Sequence, residues 1–441
     1  VSQSFYSVLP TSLQPIVQNG LLARVFEDAL HPLFLYDTLA EIKPWAAQQG
    51  AQSIMTKAGL MALSTTPITG TDAPQSNYGF EQYSMFMDQW GNSIDTNMVV
   101  SAEALASKFV EDNSVLGTNA AQSLNEVAKQ ALYDAYAGGI TWATNAATST
   151  TIQVANGAGF ANAATFQANQ TGNTEGLNVG QSTLVAPVSG SNPLHITLNG
   201  VANTVTGCSF SSGTDGPATL TLGTSATFTA GQALVSLQAP YQVFPNARAS
   251  GNQIVSGDIA TLATFQAAVT RLRHESVPTI GGAYTAHVPA QTVEELFQDP
   301  AFQSAYRGLG PSPVYGDMAI GRFLGIDWVP NEATPIVTNI GGVNVYQPIV
   351  AGAGCLIKGP FASMGNLVAQ ANAGATVHIE MLNGVARILR APLDRLGQVL
   401  TSTWSWIGGY SVGTDLLTEG GYPNSSVASA LYKRACVVQH A

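Results

Sequence analysis

"VTRLRHESVPTIGGAYTAHVPAQTVEELFQDPAF" (residues 269–302) decides how the rest of the chain is read. It gathers His274, Glu275, His287, Glu294, Glu295 and Asp299, side chains that bind metals and move protons. A helical metal site needs ligands three or four residues apart on one face, as in HExxH. Here the His-Glu pair at 274–275 has no second histidine at that spacing. His274 falls instead at the end of a helical pattern that starts at Asp258, with Ile259, Leu262, Phe265, Val269 and Leu272 on one face. A cation there meets the negative end of the helix dipole. His287 lies in a strand-like run, AYTAHVP, and Glu294 and Glu295 in a short helical one, TVEELFQ. The spacing predicts capping and solvated charge, not acid–base chemistry.

No other stretch supplies a reaction centre. GAGFAN (157–162) and GAGCLI (352–357) begin like dinucleotide loops but lack the third glycine. HIE (378–380) is too short to define a site, and there is no Walker loop. NQT (169–171) and NSS (424–426) match the glycosylation tripeptide, a pattern common by chance. No catalytic, cofactor-binding or metal-ligating residue is assigned, and a hydrolase with a β accessory domain lacks a nucleophile–base pair.

Bulk composition points elsewhere. Of 441 residues, 45% are hydrophobic, enough for a globular chain of several domains. Only 10% are charged, against about 25% in an average soluble protein. With a mean hydropathy of +0.14, the surface is mostly neutral. That suits faces buried against copies of the same chain; a secreted polar adhesin is the rival reading. A net charge of -11 argues against wrapping nucleic acid, which needs a basic stripe. RLR (271–273) and RILR (387–390) are small basic clusters that read as solvated or interface faces. Cys208, Cys355 and Cys436 are odd in number and widely spaced, so neither a disulfide framework nor a zinc motif is predicted, and a reducing compartment fits. The first ten residues lack a basic signal-peptide region, and no apolar run reaches membrane-span length.

Along the chain, VQNGLLARVFEDAL (17–30) reads as one short helix. AQSIMTKAGLMAL (51–63) and FEQYSMFMDQW (80–90) read as strands around a turn-rich tip at 64–79, an extended hairpin. SAEALASKFVEDN (101–113) and NAAQSLNEVAKQALYDAY (119–136) read as two consecutive helices. The second is capped by Asn119, carries Leu124, Val127, Ala128, Ala131 and Ala135 on one stripe, and ends at Gly138 and Gly139. From Ser149 to Ala247 the only formal charges are Glu175 and Asp215, and apolar residues alternate with small polar ones. This predicts an all-β module with Ile196, Leu198, Val201, Val205, Leu220, Leu222, Phe228, Leu234 and Val235 as its core. Mixed α and β follow from Asp258.

Arm, hairpin, long helix, mixed α/β part and strand-rich return form an order of parts. It resembles the major capsid proteins of tailed bacteriophages with the Hong Kong 97 fold. Three stretches carry the resemblance, which is to a podovirus-type branch: residues 267–302; GDMAIGRFLGIDWVPNEATP (316–335); and RAPLDRLGQVLTSTWSWIGGYSV (390–412), where D-x-L-x-Q precedes a Trp-containing strand. The resemblance covers the chain outside roughly 149–252.

It implies an α+β Hong Kong 97-like capsid fold with an all-β insertion domain. The divisions would be an N-terminal arm (1–45), an E-loop hairpin (46–100), a peripheral domain with spine helix (101–148), the insertion (149–252), an axial domain (253–385) and a return to the peripheral domain (386–441). Function would be structural: a homo-oligomeric shell around a double-stranded DNA genome, located in the virion and assembled in host cytoplasm. Partners would be copies of itself in hexamers and pentamers, with portal, scaffold and cement proteins, and DNA touched only non-specifically, with no membrane and no cofactor. An adhesin or tail component binding through 149–250 is the alternative. Within the resemblance the 269–302 stretch is architectural: His287 ends a strand, and Glu294 and Glu295 face solvent or a neighbour. Some members crosslink an E-loop lysine to a neighbour's asparagine. Lys57 lies in the matching region, but no matching Glu or Asn motif accompanies it, so no crosslink is implied.

Overall fold

A computed structural model describes residues 21–30, 35–45, 50–58, 67–68, 70, 72, 80–97, 107–167, 182–213, 216–307, 321–361, 377–390, 399–415 and 430–441. The protein is α+β, with few helices and many strands. Its contacts divide it into two units. One holds Val1–Ser53, Ser84–Gln130 and Leu356–Ser411; the other holds Ile54–Tyr83, Ala131–Cys355 and Val412–Ala441.

In the first unit the two expected consecutive helices are one, Ser107–Tyr136, running on past Gln130. Nothing between Asn113 and Asn119 breaks it, since its interior glycine, Gly117, has a packing reason. A Cβ there would stand 2.7 Å from the Phe26 carbonyl oxygen, where the helix Leu21–Leu30 crosses. Phe26 and Leu30 bury against Leu116, Ala120, Ala121 and Leu124, and against Trp404 and Trp406. Asn119 is therefore mid-helix, not a cap. Its Oδ1 accepts hydrogen bonds from Trp404 Nε1 (3.0 Å) and Asn92 Nδ2 (3.2 Å).

The thirteen-residue strand Val399–Ser411 organises the sheet of this unit. Asp88–Asn97 pairs along residues 399–408, and Val385–Arg390 and Leu356–Pro360 also pair with the strand. The expected Trp-containing strand pair is thus present, while residues 391–398, which hold D-x-L-x-Q, lie outside the described residues. Trp404 and Trp406 share a face by the two-residue strand period, and both are buried.

The expected hairpin divides. Gln52–Ala58 and Phe80–Phe86 are neighbours, as predicted, but the second run breaks at Met87. Residues 80–82 also pair in parallel with 182–184, whereas Asp88–Asn97 joins Val399–Ser411. Most of the 64–79 tip lies outside the described residues.

The second unit contains a barrel. Its strand order is Ile140–Trp142, Ala233–Ser236, Leu194–Leu198, Val201–Phe210, Ala218–Phe228, Ala147–Val154. The two ends of this sheet meet through an Ala143–Val154 bridge, with Thr144 N–H donating to Gln153 O (2.9 Å) and Ala155 N–H to Trp142 O (3.1 Å). Position 149 falls inside Ala147–Val154, and the sheet already takes in Ile140–Trp142. Asn199 and Gly200, with φ of 48° and 81°, form the tight turn between consecutive strands. Of the nine expected core residues, seven are buried. Val201 is 70% exposed because it opens its strand beside the turn, and Val235 is only half-buried because Leu234 takes the inward position of the alternation.

By Gln242 the chain has entered a mixed sheet, ordered Gln242–Val243, Ala435–Val438, Ile349–Ala351, Tyr284–Val288, Ile326–Pro330, Arg322–Phe323. The helix Leu262–His274 packs on it through Phe265, Val269 and Leu272, with Phe265 4.8 Å from the Trp328 ring. That helix begins later than predicted. Thr261 stands at its N-cap with its N–H donating to Thr264 Oγ1 (3.2 Å), leaving Ile259 outside the helix and exposed.

Candidate functional site

The residues of 269–302 come together as supports for backbone. Helix Ala290–Gln298 buries Thr292, Val293, Glu295 and Leu296, one face at helical spacing. Glu295 is therefore buried, not facing solvent or a neighbour as expected, because it holds polar groups that have left water. Its Oε2 accepts from the Ala260 N–H (2.6 Å) and stands 2.9 Å from His440 Nδ1; its Oε1 accepts from Gln291 Nε2 (3.1 Å). His440 Nε2 lies 2.7 Å from Thr292 Oγ1, and the Tyr346 ring stacks on the imidazole.

Hydroxyl, imidazole and carboxylate thus stand in the sequence of a catalytic triad. Thr292 and His440 are both fully buried, so no substrate carbonyl reaches the hydroxyl. What the arrangement does is tie the 439–441 segment to the helix. Sequence reasoning missed it, since Thr292 and His440 are 148 residues apart and neither stands in a motif.

Asp299 caps two helices: Oδ2 accepts from Leu262 N–H (2.7 Å) and Oδ1 from Ala301 N–H (2.9 Å). Glu294 is exposed and accepts from Gln298 Nε2. His287 is buried in strand Tyr284–Val288, its Nδ1 3.2 Å from Asn331 Nδ2; desolvation pushes its pKa down to about 4, so the ring is neutral at pH 7. His274 is exposed at its helix end, as predicted. Glu275 pairs with Arg271 (2.8 Å) and lies 3.8 Å from Lys433 Nζ, in a small cleft rimmed by Tyr241. Asp258, expected to start a helix, anchors a loop. Burial alone would raise its pKa, but hydrogen bonds from the Val255 N–H, Asn246 and Arg248 outweigh that and hold it below the ordinary value.

The remaining motifs resolve similarly. A Cβ on Gly352 of GAGCLI would stand 2.4 Å from Val277 Cγ1, so this glycine serves close packing. Glu380 of HIE pairs with Arg387 (2.9 Å). Lys57 contacts Asp415, which also accepts from Arg434 Nε (3.1 Å). The tripeptides NQT and NSS lie outside the described residues. One signal had escaped the sequence reading: GYSVG (409–413) fits G-x-S-x-G. A nucleophile elbow needs a strand turning into a helix. Here Ser411 ends an antiparallel strand, donates to Ser84 O (3.1 Å), and residues 412–415 are not helical. Among the described residues, no group of three or more His, Cys, Asp or Glu is placed to hold a metal ion, and no helix is long and apolar enough to cross a membrane.

No family model matches the chain. No curated protein matches it. Among solved structures the chain is similar to the capsid of Ralstonia phage GP4, at 11% identity over 91% of this chain and 87% of that one, with a TM-score of 0.49. It is similar to the cyanophage Pam1 capsid at 9% identity over 94% and 92%, TM-score 0.48. For the capsid of cyanophage P-SCSP1u the values are 12%, 92% and 88%, and 0.45.

Proposed function

We propose that the chain is a major capsid protein of the Hong Kong 97 type, a structural subunit that assembles with copies of itself into an icosahedral shell around double-stranded DNA. Its location would be the virion. The observation that carries this reading is the order of parts: helix Leu21–Leu30, the strand pair 52–86, one thirty-residue helix, a barrel, a mixed sheet, and the long return strand Val399–Ser411. Outside the barrel, that is the order the resemblance implies. The expected divisions stay part of the proposal, with the barrel as insertion domain.

Two further features support it. Glu275, Glu295 and Asp299 of 269–302 are engaged in pairing and capping, which supports a chain that works by packing. With one residue in ten charged, its surface suits burial against copies, and many weak contacts repeated by symmetry supply cohesion.

Negative-stain microscopy and sedimentation of the purified chain test this. Shells or capsomer rings are expected. Fibres or trimers would favour an adhesin, and lone particles of the 45.8-kDa chain at assembly concentrations would sink the proposal.

A further inference from the structure

We infer that the barrel wall formed by Ala147–Val154 and Ala218–Phe228 is a contact surface for a second copy of the chain, an inference that rests on the assembly reading above. On this wall Thr148 stands opposite Thr227, Thr151 opposite Thr221, and Gln153 opposite Thr219. All but Thr219 are exposed. The described residues from Ile140 to Ser236 include no Asp, Glu, Lys or Arg. An ordinary soluble surface is about 25–35% charged.

Electrostatics names the occupant. Each copy carries a net charge of -11, so like copies repel wherever charged faces meet. At physiological salt that repulsion fades over about 8 Å. The eleven-residue strand Ala218–Phe228 is roughly 35 Å long at strand rise, several times that distance, so the described residues of two such walls bring no like charges together. A nucleic acid or a basic protein finds no counter-charge here, whereas the same wall on another copy is equally neutral. The cost of ordering is also low. Threonine is β-branched and stiff at χ1, so it loses less rotamer freedom in a contact than the lysines and glutamates of an ordinary surface. A wall meeting its own copy is the isologous arrangement of two-fold contacts.

The test compares Thr151→Glu/Thr221→Glu with Thr151→Ser/Thr221→Ser in the full chain, measuring the assembled fraction by sedimentation. The serine pair should assemble like the parent. The glutamate pair should assemble about tenfold less, because like charges opposed across an interface are costly, with recovery at 1 M salt, where screening reaches about 3 Å. Equal yields for all three overturn the inference while leaving the assembly reading intact; a parent chain that never assembles removes both. Should the charged pair misfold, Thr151→Cys gives an independent readout. Its maleimide labelling should slow on assembly, and a short bis-maleimide, adding one thiol at each end, should link two copies. Labelling equal in free and assembled chains, with no linked dimer, overturns the inference. Cys355 and Cys436 are buried, and the parent chain controls for half-buried Cys208.

Discussion

The barrel at 140–236 and the mixed sheet at 242–438 belong to one compact unit yet are held by different means. Three consecutive strands from Leu194 to Phe228 lie side by side around an apolar cluster, with Thr141 and Ser236 as the buried polar residues of the barrel's described strands. In the mixed sheet, Gln242–Val243 lies beside Ala435–Val438, and Gln439 donates to Gln242 across 197 residues. Around that sheet stand buried Asp258, His287, Glu295 and His440. One region closes on itself by local alternation; the other brings distant segments together and then must satisfy the polar groups it removes from water. The lesson is that Glu295 and His440 are buried where the chain returns from far away, while Asp258 serves its own loop.

Glu295→Ala should strain that contrast most. It removes an acceptor from His440 Nδ1 and from the Ala260 N–H, and leaving a buried donor unsatisfied costs about 1–3 kcal/mol for each. Urea unfolding should show it. A loss near zero would mean that the distant segments are held by apolar packing alone, like the barrel. The barrel's counterpart is Leu220→Ala, fully buried, with an expected loss of about 3 kcal/mol by cavity formation. Hydrogen exchange should place that loss first in the barrel amides; uniform loss across the unit would erase the distinction between the two regions.

Acid offers a third test. His287 has a folded pKa of about 4 against an ordinary 6.5, because burial disfavours its charged form. As pH falls from 6.5 the unfolded chain takes up the proton first, so stability drops through that window and levels off below about 4. The total is about 3 kcal/mol. Asp258, held below the ordinary carboxylate value, contributes stability present above that value and lost at still lower pH. Urea midpoints from pH 7 to 4 should fall less steeply for His287→Gln, while protection of the barrel amides stays flat. An unchanged slope in the variant would show that another group carries the acid sensitivity. The smallest effect is Thr264→Ala, which removes the hydroxyl that accepts from the Thr261 N–H at the helix start, at about 1 kcal/mol. Circular dichroism and melting should register it without loss of the mixed sheet.

Legibility followed the same division. The barrel's alternation was readable, and seven of its nine expected core residues are buried because a strand's inward face repeats every second residue. The helices at 21–30, 262–274 and 290–298 were readable from their apolar stripes. Asn119 was misread as a cap because side chains that cap helices also hydrogen-bond neighbours, and only the presence of Trp404 nearby decides which. Glu295 was misread as solvated because a TVEELFQ helix presents its glutamates alike, and only the arrival of Ala260 and His440 turns one inward. GYSVG shows the converse, a motif present in the letters whose strand context lacks the helix the chemistry needs.

By itself the sequence determined what short-range physics controls: the periodicity of helices and strands, the turn at Asn199–Gly200, the charge-poor stretch from Ser149 to Ala247 and the absence of a basic stripe. Tertiary structure alone decided that 107–136 is one helix, that the hairpin's second limb divides at Met87, and that Thr292, Glu295 and His440 meet. The reason is that hydrogen-bond partners of buried polar groups are set by which distant segments are packed together. That pairing is a property of the folded whole and leaves no local periodic trace in the chain.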